Sequence, residues 1–434
     1  MPLICEEGGG EREKKSGPCL NQRPYGMSQR EETEKPGLSR VLGLLLLVLY
    51  GVGVTVGAGI FVMIGTVVGI AGPRAPLAFL LAAVIAGVTA IVYATLSAGL
   101  PRAAGASLYV KTAFGKGAGL AIGLGVAVTG IVSSATIVVG FTGYVAELAP
   151  IPGPVTILAA LGAIGLLTQR GVKESVGAAA VITVIEVGVL AVLIVAGVPE
   201  LLTIEPWVAA FGTSSALPLA AVLTAAVLAF FAFIGFEDIV NMAEETVNPE
   251  RVMGKAIFWT LAITTTLYVL LALIAVASPD PQALAGSAAP LSALWTQLTG
   301  FSSTWLSSLA LIAVINGVIV QVIMASRLLY GMAREKMLPS VLARIGKRHT
   351  PVVAIWVVTG IIAGLALAFP LASLARATTT VTLIVFASVN LSLVVLGSRE
   401  RAGPLYRRRW IGLLGLLLTG GLALREILVF LGAI

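Results

Sequence analysis

Two stretches decide the fold: GVGVTVGAGIF at 51–61 and AFFAFIGFED at 229–238. The first sets glycines at 51, 53, 57 and 59 inside an apolar run; the second carries Gly235 just before Glu237 and Asp238. Glycine weakens a helix interior by roughly 1 kcal/mol relative to alanine, so both runs contain a soft point. Outside these points each run is long and apolar enough to read as a bilayer-spanning helix, which needs about 20 residues.

The same reading extends along the chain of 434 residues. Hydrophobic residues make up 58% and charged residues 11%, against about 25% charged in an ordinary soluble domain, and the mean hydropathy is +1.01. The runs lack the period-2 alternation of outer-membrane strands, so the chain is all-α and polytopic. Apolar runs fall at about 41–71, 75–99, 117–146, 154–168, 176–198, 217–243, 256–277, 304–332, 352–370 and 374–397. A final stretch at 410–434 is interrupted by Arg425-Glu426 and reads either as one long helix or as a helix plus a short segment. Eleven or twelve spans result.

The glycine breaks sit in the first and sixth spans, so each opens a block of five. Five is odd, and the second block therefore lies upside down relative to the first. Matched Gly-interrupted helices in two inverted halves point to the midplane substrate site of a secondary transporter. Unwinding a helix frees backbone groups, tolerable in a bilayer only where they line a cavity. Half-helix N-termini then present N–H groups and a positive dipole end to a carboxylate, while freed carbonyls suit an ammonium group. A site with both ends fits a zwitterion. Close packing of small residues explains Gly51 and Gly53 equally well; for Gly57, Gly59 and Gly235 the matched positions favour the substrate reading.

Charge placement gives topology. The net charge of +7 does not mark a nucleic-acid binder, because the basic residues sit in the N-terminal tail and in alternate loops. Arg102/Lys111/Lys116, Arg170/Lys173, Arg251/Lys255, the run Arg327 to Arg348, and Arg399 to Arg409 lie on the tail's side. The other loops hold Arg74 and Arg376 but mainly Glu147, Glu200, Glu205 and Asp280. The positive-inside rule puts the N-terminus in the cytoplasm of a cell (plasma or inner) membrane. Residues 1–38 are polar, lack an apolar signal core and read as a disordered tail; Met27 is a second candidate start. Cys5, Cys19 and the single His349 leave no framework for a disulfide, zinc or haem site, so no metal or cofactor is expected. Membrane redox and enzyme readings are correspondingly disfavoured.

Several motifs resemble the amino acid–polyamine–organocation (APC) superfamily, especially its cationic-amino-acid-transporter-like permeases. They are GAGIF at 57–61, LPRAAGASLYVKTAFG at 100–115, GVKES at 171–175, AFIGFEDIVNMAEETVNPERVMGKAI at 232–257 and SRLLYGMAREKMLPSVLARIGKRHTPVVAI at 326–355. The resemblance implies the five-plus-five inverted-repeat, leucine-transporter-like fold. Its repeats would be 39–198 and 199–398, with a C-terminal part at 399–434, and it implies amino acid symport or exchange. It further implies that Gly57, Ala58, Gly59 and Ile60 meet the substrate carboxylate through N–H groups. Carbonyls near Val54 and at Phe231, Ala232 and Ile234 would take the ammonium. Phe231 or Phe233 is a candidate gate, with plain packing as the alternative. Asn316, a polar amide mid-span, is expected to face the bundle interior.

Glu186, eleventh in its span, lies some 15 Å deep at 1.5 Å per residue, where a charge costs at least a few kcal/mol. Related permeases often carry a lysine here, so lysine-based coupling is in doubt. Three readings stand: a proton-carrying carboxyl, a sodium ligand, or a neutral strut between helices. The helix near Ala310–Ile315 lacks a hydroxyl cluster for sodium, which favours protons. Glu237 either senses a proton or substrate charge, or caps the half-helix. With few acids at substrate depth, the expectation is a neutral amino acid. The alternatives are a cationic amino acid or polyamine carrier, a channel, and a non-transporting sensor on the same fold.

Overall fold

The computed structural model describes residues 40–432 apart from 101–104, 171–175, 213–218, 335–337, 347, 349 and 400–402. The N-terminal tail, the GVKES motif and His349 lie outside the described residues. The helices are α1 (Leu44–Ala71), α2 (Ala75–Gly99), α3 (Gly105–Phe114), α4 (Lys116–Leu148), α5 (Gly153–Gln169) and α6 (Val176–Ala196). They continue with α7 (Val198–Leu201), α8 (Glu205–Phe211), α9 (Leu219–Phe231), α10 (Pro249–Ala277), α11 (Pro281–Gly286) and α12 (Pro290–Thr299). The last four are α13 (Thr304–Arg334), α14 (Val352–Ala368), α15 (Leu371–Arg399) and α16 (Pro404–Phe430). Among the described residues no strand forms, only an isolated bridge between Leu42 and Thr246.

Seven helical stretches are long and apolar enough to cross a membrane by length and composition; Leu44–Gly57, Gly153–Gln169, Ala180–Ala196 and Val352–Ala368 are apolar but shorter. With α9 and its continuation taken as one interrupted span, the long apolar helices among the described residues are eleven: α1, α2, α4, α5, α6, α9, α10, α13, α14, α15 and α16. The protein is a multi-pass, all-α membrane protein.

Both glycine breaks are present. In α1 the backbone leaves helical geometry at Gly57 (φ 4°, ψ −141°). The sixth span stops as an α-helix at Phe231, turns through 232–235, and resumes as a 3-10 helix, Phe236–Glu245. Gly235 has φ 124°, a conformation that residues with a Cβ rarely adopt. A Cβ there would also lie 2.9 Å from the Val54 carbonyl oxygen, and one on Gly59 would lie 2.7 Å from Ala232 Cα. The two breaks therefore touch, and their glycines permit it. Gly51 and Gly53 pack against Ile239 and Thr183, so close approach accounts for them.

Three further ties fix this centre. The Tyr268 hydroxyl on α10 lies 3.0 Å from Thr55 O and 3.0 Å from Ala232 O, spanning both breaks. Tyr144 on α4 donates to Phe61 O at 2.7 Å. The strand-like residues before α1 bond to the end of the 3-10 segment, Leu42 N to Glu245 O at 2.9 Å and Val247 N to Leu42 O at 3.0 Å.

One boundary differs from the sequence reading, and one alternative left open by it is decided. The seventh span starts at Pro249, not 256, with Arg251 and Lys255 inside its first turns. Proline suits the first helical position, and long basic side chains let polar turns extend a helix beyond the apolar slab. Residues 410–434 hold one helix through Arg425-Glu426, not a helix and a separate piece. The charges are accommodated because Glu426 accepts from Arg376 at 2.8 Å and Arg425 at 2.6 Å. Arg425 also reaches Thr224 Oγ1 on α9 at 2.8 Å.

Candidate substrate site

The breaks enclose a cavity of about 40 Å³ lined by Val54, Gly57, Gly59, Phe231, Ile234 and Asn316 of the expected residues, joined by Ser133, Ile137 and Gln321. Ala232 is set under Gly59, its carbonyl engaged by Tyr268. Ile60 is fully buried. Neither lines this cavity; of Ala58 only the backbone is described. Phe231 is at the wall, whereas Phe233 is buried against Tyr268, ring centroids 5.1 Å apart.

The backbone chemistry follows from the breaks. Past Gly57 the second half of α1 begins afresh, and the first N–H groups of a helix have no intrahelical partner. In the sixth span the turn is partly self-satisfied: Ile234 N donates to Phe231 O at 3.3 Å. Glu237 Oε2 accepts from Gly235 N at 2.8 Å, so this carboxyl closes the turn that precedes its own 3-10 segment.

Room for about 40 Å³ is little more than one water's share of liquid volume, about 30 Å³. An amino acid seated there must extend further. Ile234, Val320 and Gln321 also line a second cavity of about 540 Å³, within the usual range of small-molecule sites. This vestibule runs past Tyr93, Thr129, Glu237, Asp238 and Asn241 to Arg327 near the end of α13. It opens on the side of the bundle where α1 starts. On the opposite side α11 and α12 are pressed onto the bundle: a Cβ on Gly69 would lie 2.9 Å from Ala285 Cβ, and one on Gly65 3.0 Å from Pro290 Cβ. The site is open to one side and covered on the other.

Glu186 lines neither cavity. It is 2% exposed, both carboxyl oxygens lack a hydrogen-bond partner, and it lies within electrostatic reach of Tyr268. Its helix also packs on α1 next to the first break, Thr183 against Gly53.

Tyr268, Ser133, Thr129 and Gln321 were not singled out from sequence. Gln321 Oε1, Thr129 Oγ1 and Tyr93 OH are buried without partners among the described residues, and all three residues line the vestibule. Gln321 carried a usable signal, being a second amide after Asn316 in one apolar span.

Two broken helices meeting at an occluded cavity, reached by a one-sided vestibule through an apolar bundle, define a membrane transporter. The chain belongs to the amino acid permease family, whose model matches residues 42–431. It is 27% identical over 375 residues to the branched-chain amino acid permease BcaP of Lactococcus lactis, covering 81% of this chain and 80% of that one. It is 30% identical over 388 residues to the vacuolar cationic amino acid transporter 2 of Arabidopsis thaliana, covering 83% of this chain and 60% of that one. It is also 27% identical over 393 residues to the methylthioribose transporter of Bacillus subtilis, covering 85% and 84%.

Proposed function

We propose that the protein carries a neutral amino acid across the cell membrane by alternating access, as a proton-coupled carrier or exchanger, and is not an enzyme. The observation that carries this reading is the meeting of the Gly57 and Gly235 breaks beside one small cavity that shares Ile234, Val320 and Gln321 with a one-sided vestibule. The substrate carboxylate takes the free N–H groups of Ala58, Gly59 and Ile60 at the start of the second half of α1. Its ammonium takes carbonyls of Val54, Phe231 and Ile234, with Asn316 alongside and the side chain pointing toward the vestibule. Residues 39–198 and 199–398 form inverted repeats. In support, each opens with a broken helix, and each inserts short helices between its second and third spans, α3 in one, α11 and α12 in the other.

The positive-inside rule supports a cytoplasmic N-terminus. On that reading the vestibule faces inward, and the structure is an inward-open state. Glu186 carries the coupling proton, passing its state to both breaks through Tyr268.

The named relatives carry differing substrates, so substrate choice rests on the site. No acidic side chain lines the small cavity among the described residues, which favours a neutral substrate. The second reading, a cationic amino acid, is favoured by Glu237 and Asp238 in the vestibule wall. Uptake by proteoliposomes across a panel of amino acids separates the two. Leucine-sized or smaller neutral substrates should compete for uptake while arginine and lysine do not; the reverse order overturns the neutral reading.

A further inference from the structure

Away from the substrate path, a third cavity of about 500 Å³ lies between the C-terminal end of α5 and the segment leading into α14. Its wall carries three arginines, Arg170, Arg344 and Arg348, beside the apolar Leu166 and Ile345. The frame around it is built, not loose. Thr350 Oγ1 donates to Gln169 O at 2.9 Å, Trp356 Nε1 to Gln169 Oε1 at 2.9 Å, and Gly346 N to Thr350 O at 2.8 Å.

The three guanidinium groups are unlike the other well-placed arginines of the chain. Arg376 and Arg425 share Glu426, Arg399 donates to the carbonyls of Thr112 and Ala113, and Arg408 donates to Thr95. Arg170, Arg344 and Arg348 have no hydrogen-bonded or ionic partner, and no acidic side chain lines their cavity, among the described residues. Three like charges converging on one cavity repel one another until an anion enters, and planar guanidinium groups match phosphate oxygens in pairs.

The surroundings select the anion. Leu166 and Ile345 are 51% and 53% exposed, so apolar surface stands open at the rim of the charged cavity. The cavity sits where the apolar span of α5 ends, and basic pockets between membrane helices near the ends of their apolar spans suit anionic lipid headgroups. We propose that this cavity binds an anionic phospholipid. The phosphodiester is gripped by Arg170, Arg344 and Arg348, and an acyl chain runs along Leu166 and Ile345. The segment it steadies connects α14 to α13, the helix that supplies Asn316 and Gln321 to the substrate path, so the lipid braces one wall of that path.

The test uses the full-length protein in mild detergent, offered equal amounts of phosphatidylglycerol and phosphatidylcholine, with bound lipid counted by native mass spectrometry. The parent should favour phosphatidylglycerol by at least about tenfold, given roughly a fivefold gain per arginine near a charged surface. The triple variant Arg170→Gln, Arg344→Gln, Arg348→Gln should lose that preference while still retaining phosphatidylcholine. The control Lys116→Gln, Arg407→Gln removes exposed charge at the starts of α4 and α16, outside the cavity, and should keep it. Equal retention of the two lipids by the parent overturns the proposal, as does an equal loss in the control. Displacement of phosphatidylglycerol by millimolar inorganic phosphate would assign the cavity to a soluble anion and also overturn it; this arm needs only the parent protein.

Discussion

Glu426 and Glu186 are buried to the same degree, 3% and 2% exposed, yet their surroundings are opposite. Glu426 on α16 is held by Arg376 from α15 and by its neighbour Arg425, which also reaches α9. Glu186 on α6 has no hydrogen-bond partner on either oxygen among the described residues. A buried carboxylate with two guanidinium partners ties helices together, and removing it leaves charges exposed to each other. A buried carboxyl without a partner contributes nothing as a tie and costs desolvation. Glu426 thus ties three helices together, whereas Glu186 makes no such tie among the described residues.

The comparison breaks first at Glu426. Glu426→Ala should lower unfolding stability by about 3 kcal/mol, the low end for a broken buried pair because both arginines keep some solvent exposure. Thermal unfolding in detergent checks this; a loss under about 1 kcal/mol would make the network ornamental. Tyr268→Phe removes the hydroxyl shared by the Thr55 and Ala232 carbonyls, and should cost about 1–2 kcal/mol while slowing uptake far more than it weakens substrate binding. Wild-type uptake in this variant would detach Glu186 from the breaks.

Smaller effects sharpen the same contrast. Glu186→Gln should leave stability within about 1 kcal/mol of the parent, because no hydrogen bond or ion pair is lost; a loss as large as that of Glu426→Ala would make Glu186 a strut. Glu237→Gln retains a side-chain oxygen for the Gly235 N–H, so stability should change by under about 0.5 kcal/mol and uptake only modestly. An abrupt loss of uptake there would move the coupling role from Glu186 to Glu237.

How far sequence alone reaches depends on what each residue must satisfy. The span 75–99 matches α2 to the residue, since it is uniformly apolar between Pro-containing turns. The breaks were legible because a close approach at Gly59 and a positive φ at Gly235 leave room only for glycine. The start of α10 was not, because its first turns are amphipathic and look like loop. The short helices α3, α8, α11 and α12 escaped for a similar reason: none is long enough to form an apolar run. Within the site, Asn316 stood out as a mid-span amide, but a serine or threonine such as Ser133 or Thr129 satisfies itself on its own helix as easily as it faces a cavity. Tyr268 meets Thr55 across 213 positions of sequence, and the Arg376–Glu426 pair spans 50. Contacts of that separation leave no local pattern.

The role proposed for Glu186 is to couple a proton to a substrate site built on the two breaks. Its most direct test is neutral amino acid uptake into proteoliposomes under an imposed pH or sodium gradient, for the parent and Glu186→Gln, with substrate counterflow measured alongside. Parent uptake should follow the pH gradient and ignore sodium, and Glu186→Gln should keep counterflow but lose gradient-driven accumulation by at least about tenfold, in the range that loss of one proton-transfer group produces. Sodium-driven uptake by the parent, or undiminished pH-driven accumulation by Glu186→Gln, would contradict it.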